Sequence, residues 1–99
     1  MDIVDKVNDI NPMAEDIPYG ITMVKALLVD DSTSSNIGVC IVDSGYDMPH
    51  PDLQQTDVTG TDGPNAPWGT DTCGHGTHVT GTIAALGNND EGVIGVVRK

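Results

Sequence analysis

The chain lacks phenylalanine and has few aromatic and few basic residues. One tryptophan and two tyrosines are its only aromatic side chains, and 37% of its residues are hydrophobic, which is low for a self-sufficient core. Twelve glycines and six prolines indicate many turns and disfavour an all-helical fold. Four basic residues stand against fifteen acidic ones, a net charge of −11. That charge would repel nucleic acid and anionic membranes, so we expect neither as a partner.

Cysteines and long hydrophobic runs are also scarce. Cys40 and Cys73 are too few for a disulfide framework, and neither belongs to a CxxC pair. Cysteine usage therefore leaves the redox compartment open. No apolar stretch reaches transmembrane length, and the first residues show neither the basic segment nor the apolar core of a signal peptide. Ninety-nine residues suffice for one small domain, not two.

The hydrophobic pattern predicts alternating strands and helices. Residues 1–13 are polar and acidic, and we interpret them as a tail. Within 14–31, apolar residues at helical spacing predict a short amphipathic helix. The β-branched runs 36–42 and 93–97 are typical of strands buried on both faces of a parallel sheet. Between them, 75–86 has one apolar face and a glycine-asparagine stop, which predicts a second helix.

Asp43 and His75 are the first candidates for chemistry. Asp43 ends a predicted buried strand, and the carboxyl ends of parallel strands are where α/β sheets usually place their sites. Taken alone, the run Asp-Ser-Gly would be an ordinary turn. His75 opens a predicted helix between two glycines, which leaves its imidazole accessible.

A second interpretation of the same region is a zinc site. His75 and His78 are three residues apart, with Cys73 beside them, which is the spacing of half a zinc site. A structural site needs further ligands, and Cys40 lies inside a predicted strand. A small Cys/His metal-binding module is therefore the less favoured alternative.

Four segments together resemble the subtilisin family of serine proteases. Residues 41–45 (IVDSG) and 50–53 (HPDL) are similar to its aspartate motif, and 75–85 (HGTHVTGTIAA) to its histidine motif. The aspartate and the histidine are 32 residues apart, the spacing of the subtilisin chain. Residues 17–21 (IPYGI) resemble the opening of the mature enzyme. The chain is thus identified as a member of this family.

The resemblance implies a fold and catalytic roles. It implies an α/β fold, in which residues 14–99 form the N-terminal part of a doubly wound, mostly parallel sheet with helices on both faces. His75 would be the general base, and Asp43 would orient its imidazole. His78 would be a buried structural side chain, and Cys73 would lie near the substrate.

The family's serine motif is absent from the chain. It is expected about 157 residues after the histidine, well past Lys99. We therefore expect a serine endopeptidase that is present here only in part and is inactive as these 99 residues alone. A different hypothesis is a naturally truncated, non-catalytic binding or regulatory protein.

The resemblance also implies a calcium site, because calcium prefers oxygen ligands. The family binds calcium between the N-terminal segment, the His-Pro-Asp-Leu turn and the loop after the histidine helix. Six oxygens are available there: the carboxylates of Glu15 and Asp52, the amide of Asn89 (or of neighbouring Asn88), and the backbone carbonyls of Leu86, Glu91 and Val93. The alternative is a plain helix stop with solvated acids.

Partners and location are likewise implied by the resemblance alone. The complete protein would be an extracellular monomer that acts on polypeptide substrates. Residues 1–13 fit either the end of an inhibitory propeptide or a linker.

Overall fold

A computed structural model describes residues 15–32, 34 and 37–98. The predicted tail of residues 1–13 lies outside this part of the chain. Three helical segments occur in it: α1 (Tyr19–Met23), a 3-10 helix (Ala26–Leu28) and α2 (His75–Ala84). Turns and extended backbone make up the remainder.

The helix predicted within 14–31 is two short helical segments. Lys25 separates them with a left-handed φ of 60°, a conformation that costs a residue with a side chain about 1–2 kcal/mol. Of the expected apolar face, Ile21 is buried, whereas Val24 and Leu28 are 65% and 81% exposed. Helical spacing was therefore a poor guide to burial on both sides of the break at Lys25.

The prediction of a helix over 75–86 is confirmed, with an end at Ala84. The carbonyls of its last turn accept hydrogen bonds from residues 95–97: Val96 N–H donates to Thr82 at 3.1 Å and Val97 N–H to Ile83 at 2.8 Å. Gly95 N–H donates to Ala85 at 3.0 Å. Because helix ends leave four carbonyls without intrahelical partners, the returning chain caps α2.

Among the described residues, the two predicted strands do not pair with each other, and Val93 is the one position of either that forms a β-bridge. The only ladder contact in the described residues is an isolated parallel bridge between Asp16 and Val93. Residues 37–42 form neither helix nor strand, and Val42 is 95% and Ile37 75% exposed. Cys40, expected deep in the sheet, is exposed as well. The physical reason is that a buried parallel strand needs a strand on each side, and none of the described residues supplies one.

The core is small. Ile21, Ala26 and Ile94 form one buried cluster, and Leu53 and Ala85 are also buried. No helix among the described residues has the length and apolar character needed to cross a membrane.

Candidate active site

The imidazole of His75 lies against the carboxylate of Asp43. His75 Nδ1 is 2.8 Å from Asp43 Oδ1 and 3.0 Å from Oδ2, so in the tautomer protonated at Nδ1 this N–H donates to the carboxylate. The Asp43 side chain is only 18% exposed, whereas the His75 side chain is 69% exposed. The structure thus brings the two predicted catalytic residues together and leaves the outer edge of the ring accessible.

Two glycines make this approach possible. Gly76, the second residue of α2, is buried against Gly45 of the Asp43 loop. A Cβ built on Gly76 would overlap the Gly45 carbonyl oxygen and stand 3.2 Å from the Asp43 Cβ. Gly45 itself has a φ of +136°, which side-chain-bearing residues rarely adopt. The start of the helix therefore sits directly on the backbone that carries Asp43.

Ser44 and Asp71, which were not among the predicted site residues, join the same two segments. The Ser44 hydroxyl donates to Asp71 Oδ1 at 2.8 Å and accepts from Gly76 N–H at 2.9 Å. The other oxygen of Asp71 accepts from both the N–H and the hydroxyl of Thr77. A sequence signal existed, since an aspartate shortly before a helix is a common source of caps for its free N–H groups.

These contacts lower the pKa of both aspartates. The hydrogen bond from His75 is the main cause that lowers the pKa of Asp43, and the Ser44 N–H at 2.7 Å adds to it. The pKa of Asp71 lies far below its ordinary value of 3.8, chiefly because the Thr77 hydroxyl donates to it. Both carboxylates therefore stay charged under mildly acidic conditions.

The arrangement can accept a proton at His75 Nε2 and stabilise the resulting imidazolium with Asp43. It needs a nucleophile next to Nε2. Ser44 cannot serve, because its hydroxyl is held by Asp71 and Gly76. Ser34 donates its hydroxyl to the Asp31 carbonyl instead.

Cys73 and His78 depart from what was expected of a metal site. No three His, Cys, Asp or Glu side chains among the described residues converge on a point where a metal ion could bind. Cys73 is an exposed thiol two residues from His75, and its position near the substrate stays a prediction. His78, expected to be buried, is exposed and lines an open trough of about 700 Å³ beside Ile21 and Val24. The trough is open because little of the described chain packs over this side of α2.

A second polar cluster is centred on Asp52, which is 3% exposed. Its carboxylate accepts from Asn89 Nδ2 at 2.7 Å and from Val93 N–H at 2.8 Å, and its carbonyl accepts from Leu86 N–H. Glu15 reaches the same loop and accepts from Asn88 N–H at 3.2 Å. Glu91 is half-buried in this loop and forms none of these bonds.

Two acceptors in this cluster have no donor. Glu15 Oε1 and Asn89 Oδ1 are buried and lack a hydrogen-bond partner among the described residues. A buried acceptor without a partner is costly, so such a pair indicates a position where a cation would be stabilised.

Comparisons with known proteins agree with this geometry. The family model described as the subtilase family matches residues 34–99. The chain belongs to the subtilase family. A subtilisin of Bacillus pumilus is 44% identical over 86 residues, which cover 84% of the chain and 30% of that relative. An alkaline protease of Alkalihalobacillus alcalophilus is 39% identical over 97 residues, or 94% of the chain and 24% of the relative.

A solved structure gives the fold of this subtilase segment. The psychrophilic subtilisin-like protease of Pseudoalteromonas sp. AS-11 aligns with a TM-score of 0.79 and 47% identity over 87% of the chain. That neighbour is an α/β protein, so the predicted fold class is supported, while the predicted sheet is not formed among the described residues. The alignment covers 20% of the neighbour, and the chain spans less than a third of the relatives it matches.

Proposed function

We propose that this subtilase segment supplies the base and its orienting carboxylate to a serine endopeptidase. The observation that supports it is the 2.8 Å contact between His75 Nδ1 and Asp43, which leaves Nε2 at the exposed edge of the ring. In the proposed reaction, Nε2 takes the proton of a serine hydroxyl as the hydroxyl attacks a peptide carbonyl, and then returns it to the leaving amine. Asp43 stays ionised throughout and holds the tautomer.

The serine lies outside these 99 residues in this proposal. As noted above, Ser44 is engaged with Asp71 and Gly76, so the pair by itself has nothing to activate. We expect residues 1–99 alone to hydrolyse no peptide, and the protein with its serine to act on extended polypeptides. An extracellular location, a monomeric state and an inhibitory propeptide belong to the same proposal and rest on kinship with the subtilases.

A fluorophosphonate probe, which modifies an activated serine, tests this function. The protein is expressed as its gene encodes it, with whatever follows Lys99 included. We expect labelling of the protein, loss of labelling in His75→Ala, and retained labelling in His78→Ala, which removes an exposed imidazole one turn along α2. An unlabelled protein, or a reading frame that stops after Lys99, would overturn the proposal. A truncated binding or regulatory protein would then be the better hypothesis.

A structural calcium ion is the second part of the proposal. Glu15, Asp52 and Asn89 would hold it with the backbone carbonyls of Leu86, Glu91 and Val93. Support comes from the two buried acceptors without donors, Glu15 Oε1 and Asn89 Oδ1, and from the bond of the Asn89 amide to the buried Asp52 carboxylate. A bound cation would supply the positive charge that these oxygens lack and would tie the N-terminal segment to the loop after α2.

Calcium titration with thermal unfolding tests this ion. A ligand that binds only the folded state raises its stability, so we expect added calcium to raise the Tm and a chelator to lower it. Asp52→Asn should abolish the calcium-dependent rise. Asp90→Asn, which removes the same charge from an exposed position of the same loop, should keep it. A Tm indifferent to calcium in the unsubstituted protein would contradict the proposal.

A further inference from the structure

The Asp71 carboxylate accepts four hydrogen bonds from three different residues. Its carboxylate receives the Ser44 hydroxyl at 2.8 Å, the Gly74 N–H at 2.9 Å, the Thr77 N–H at 2.9 Å and the Thr77 hydroxyl. Gly74 immediately precedes α2, Thr77 lies in its first turn, and Ser44 belongs to the Asp43 loop. Asp71 thus bonds to both segments from outside the catalytic pair, whereas Asp43 bonds to α2 through His75.

Ser44 carries this connection to the catalytic pair. Its N–H donates to Asp43 Oδ1 at 2.7 Å, and its hydroxyl accepts from the N–H of Gly76, the residue next to His75. A hydroxyl has one proton, and here that proton goes to Asp71. The acceptor side of the hydroxyl is therefore left facing Gly76, which fixes the direction of the whole chain of bonds.

Thr77 forms a second connection between the Asp43 loop and α2, again through a hydroxyl that donates to Asp71. Its hydroxyl proton goes to Asp71, and its oxygen accepts from Asp47 N–H at 3.0 Å. The loop that follows Asp43 is thereby attached to α2 at two points, both of which depend on an acceptor at Asp71. An asparagine at position 71 would replace one of the two acceptor oxygens with an NH2 group, which would face a donor and could not accept from it. A carboxylate is therefore required.

We propose that Asp71 is a positioning residue for the Asp43–His75 pair, acting through Ser44 and Thr77 to hold the imidazole in the tautomer protonated at Nδ1. This role rests on the proposed peptidase function. A displacement of about 1 Å at a reacting group can cost about 100-fold in rate, so loss of these ties should act on catalysis and not only on stability.

The tautomer of His75 is the decisive measurement, because it needs neither substrate nor serine. The protein is expressed as its gene encodes it and labelled with 15N-histidine, and two-bond 1H–15N correlations are recorded at about pH 8.5, where imidazoles are generally neutral. We expect the unsubstituted protein to show His75 protonated at Nδ1. Asp71→Asn should shift it toward the Nε2-protonated form that free imidazole side chains favour, and kcat/KM for a peptide substrate should fall about 100-fold.

Two further variants keep the outcome decisive. Ser44→Ala removes the hydroxyl that joins Asp71 to Gly76. It keeps the backbone N–H bond to Asp43 and leaves Asp71 bonded to Gly74 and Thr77, so it should reproduce the tautomer change even if Asp71→Asn does not fold. Asp62→Asn alters another loop aspartate that accepts a backbone N–H, that of Trp68, and should match the unsubstituted protein. An Nδ1-protonated His75 in folded Ser44→Ala, or an unfixed tautomer in the unsubstituted protein, would overturn the role of Asp71. Absent hydrolysis with a fixed tautomer would instead count against the proposed peptidase function alone.

Discussion

Gly76 is where the helix that carries His75 comes closest to the loop that carries Asp43. It is buried, and the Gly45 backbone nitrogen lies 3.0 Å from where its Cβ would be. Backbone atoms on both sides leave little room for adjustment, because neither segment can turn away as a flexible side chain could. The geometry of the pair therefore depends on a residue that has no functional group.

Gly76→Ala should accordingly be destabilising. Forcing an extra carbon into a packed contact typically costs about 1–3 kcal/mol, which a urea titration would measure as a lower unfolding midpoint. The matched control is Gly81→Ala in the same helix, where nothing lies within 4 Å of the added carbon. Removing glycine from a helix interior should raise stability by about 0.5–1 kcal/mol. Equal effects of the two changes would contradict the close contact.

Asp71 also predicts a particular response to acid. Its pKa is lowered in the folded protein from an ordinary 3.8, so the folded state binds fewer protons than the unfolded state in that range. The stabilising contribution of the Asp71 carboxylate is complete above about pH 5 and is lost as the pH falls through 3.8 toward the folded value. Urea midpoints between about pH 5 and pH 3 should fall less steeply in Asp71→Asn than in the unsubstituted protein. An unchanged slope would mean that the carboxylate is not held in the folded state.

At the scale of elements, α2 shows what sequence could and could not supply. Its apolar spacing and the glycine-asparagine stop predicted the helix to within two residues at its end. Its capping was predictable only in part: Asp71 lies shortly before the helix and accepts from Thr77 N–H, whereas Ser44 at the same end and residues 95–97 at the other are distant in the chain. Local patterns report a helix, whereas partners distant in the chain complete its ends.

The 3-10 helix is held by Arg98 in a similar long-range manner. The guanidinium donates to the carbonyls of Ala26 at 3.2 Å and Val29 at 3.3 Å, and the Arg98 N–H donates to Asp31 at 2.7 Å. Arg98 therefore closes the end of a short helix that has no side-chain cap of its own.

Arg98→Lys should loosen this end, since an ammonium is a point charge and lacks the planar fork that spans two carbonyls. We expect a loss of about 1–2 kcal/mol in unfolding free energy, given that the site is partly open to solvent. Amide exchange should quicken at Leu28 and Val29, whose N–H groups bond within this segment. As a control, Lys25→Arg makes the opposite exchange of residue type at an exposed position and should leave amide exchange at Leu28 and Val29 unchanged.

Across the whole molecule, apolar side chains remain uncovered. Ile37, Val39 and Val42 are 75%, 62% and 95% exposed, although their sequence is typical of a doubly buried strand. The sequence pattern predicted the environment that a complete subtilase would provide, and the described residues do not contain that environment. The same reason applies to His78, which faces an open trough.

Residues 1–99 alone should therefore unfold without a sharp transition and should bind a hydrophobic dye such as ANS. Within the part of the chain that the structure describes, five apolar residues are buried, which is too little burial to offset the entropy of ordering those residues. Calorimetry and dye fluorescence of this segment, compared with the protein as its gene encodes it, would measure the difference. A cooperative calorimetric peak with no dye binding in the segment would contradict this expectation.

The ties between the two catalytic segments close a long loop at its base. Ser44 meets Asp71, and Tyr46 N–H donates to the Trp68 carbonyl at 2.9 Å, while residues 59–67 are all exposed. Doubling the length of such a loop costs only about 0.6 kcal/mol in closure entropy. A peptide inserted between Gly63 and Ala66 would thus project into solvent, beyond the contacts that close the loop. A recognition sequence could be grafted at this position while His75 and Asp43 keep their separation.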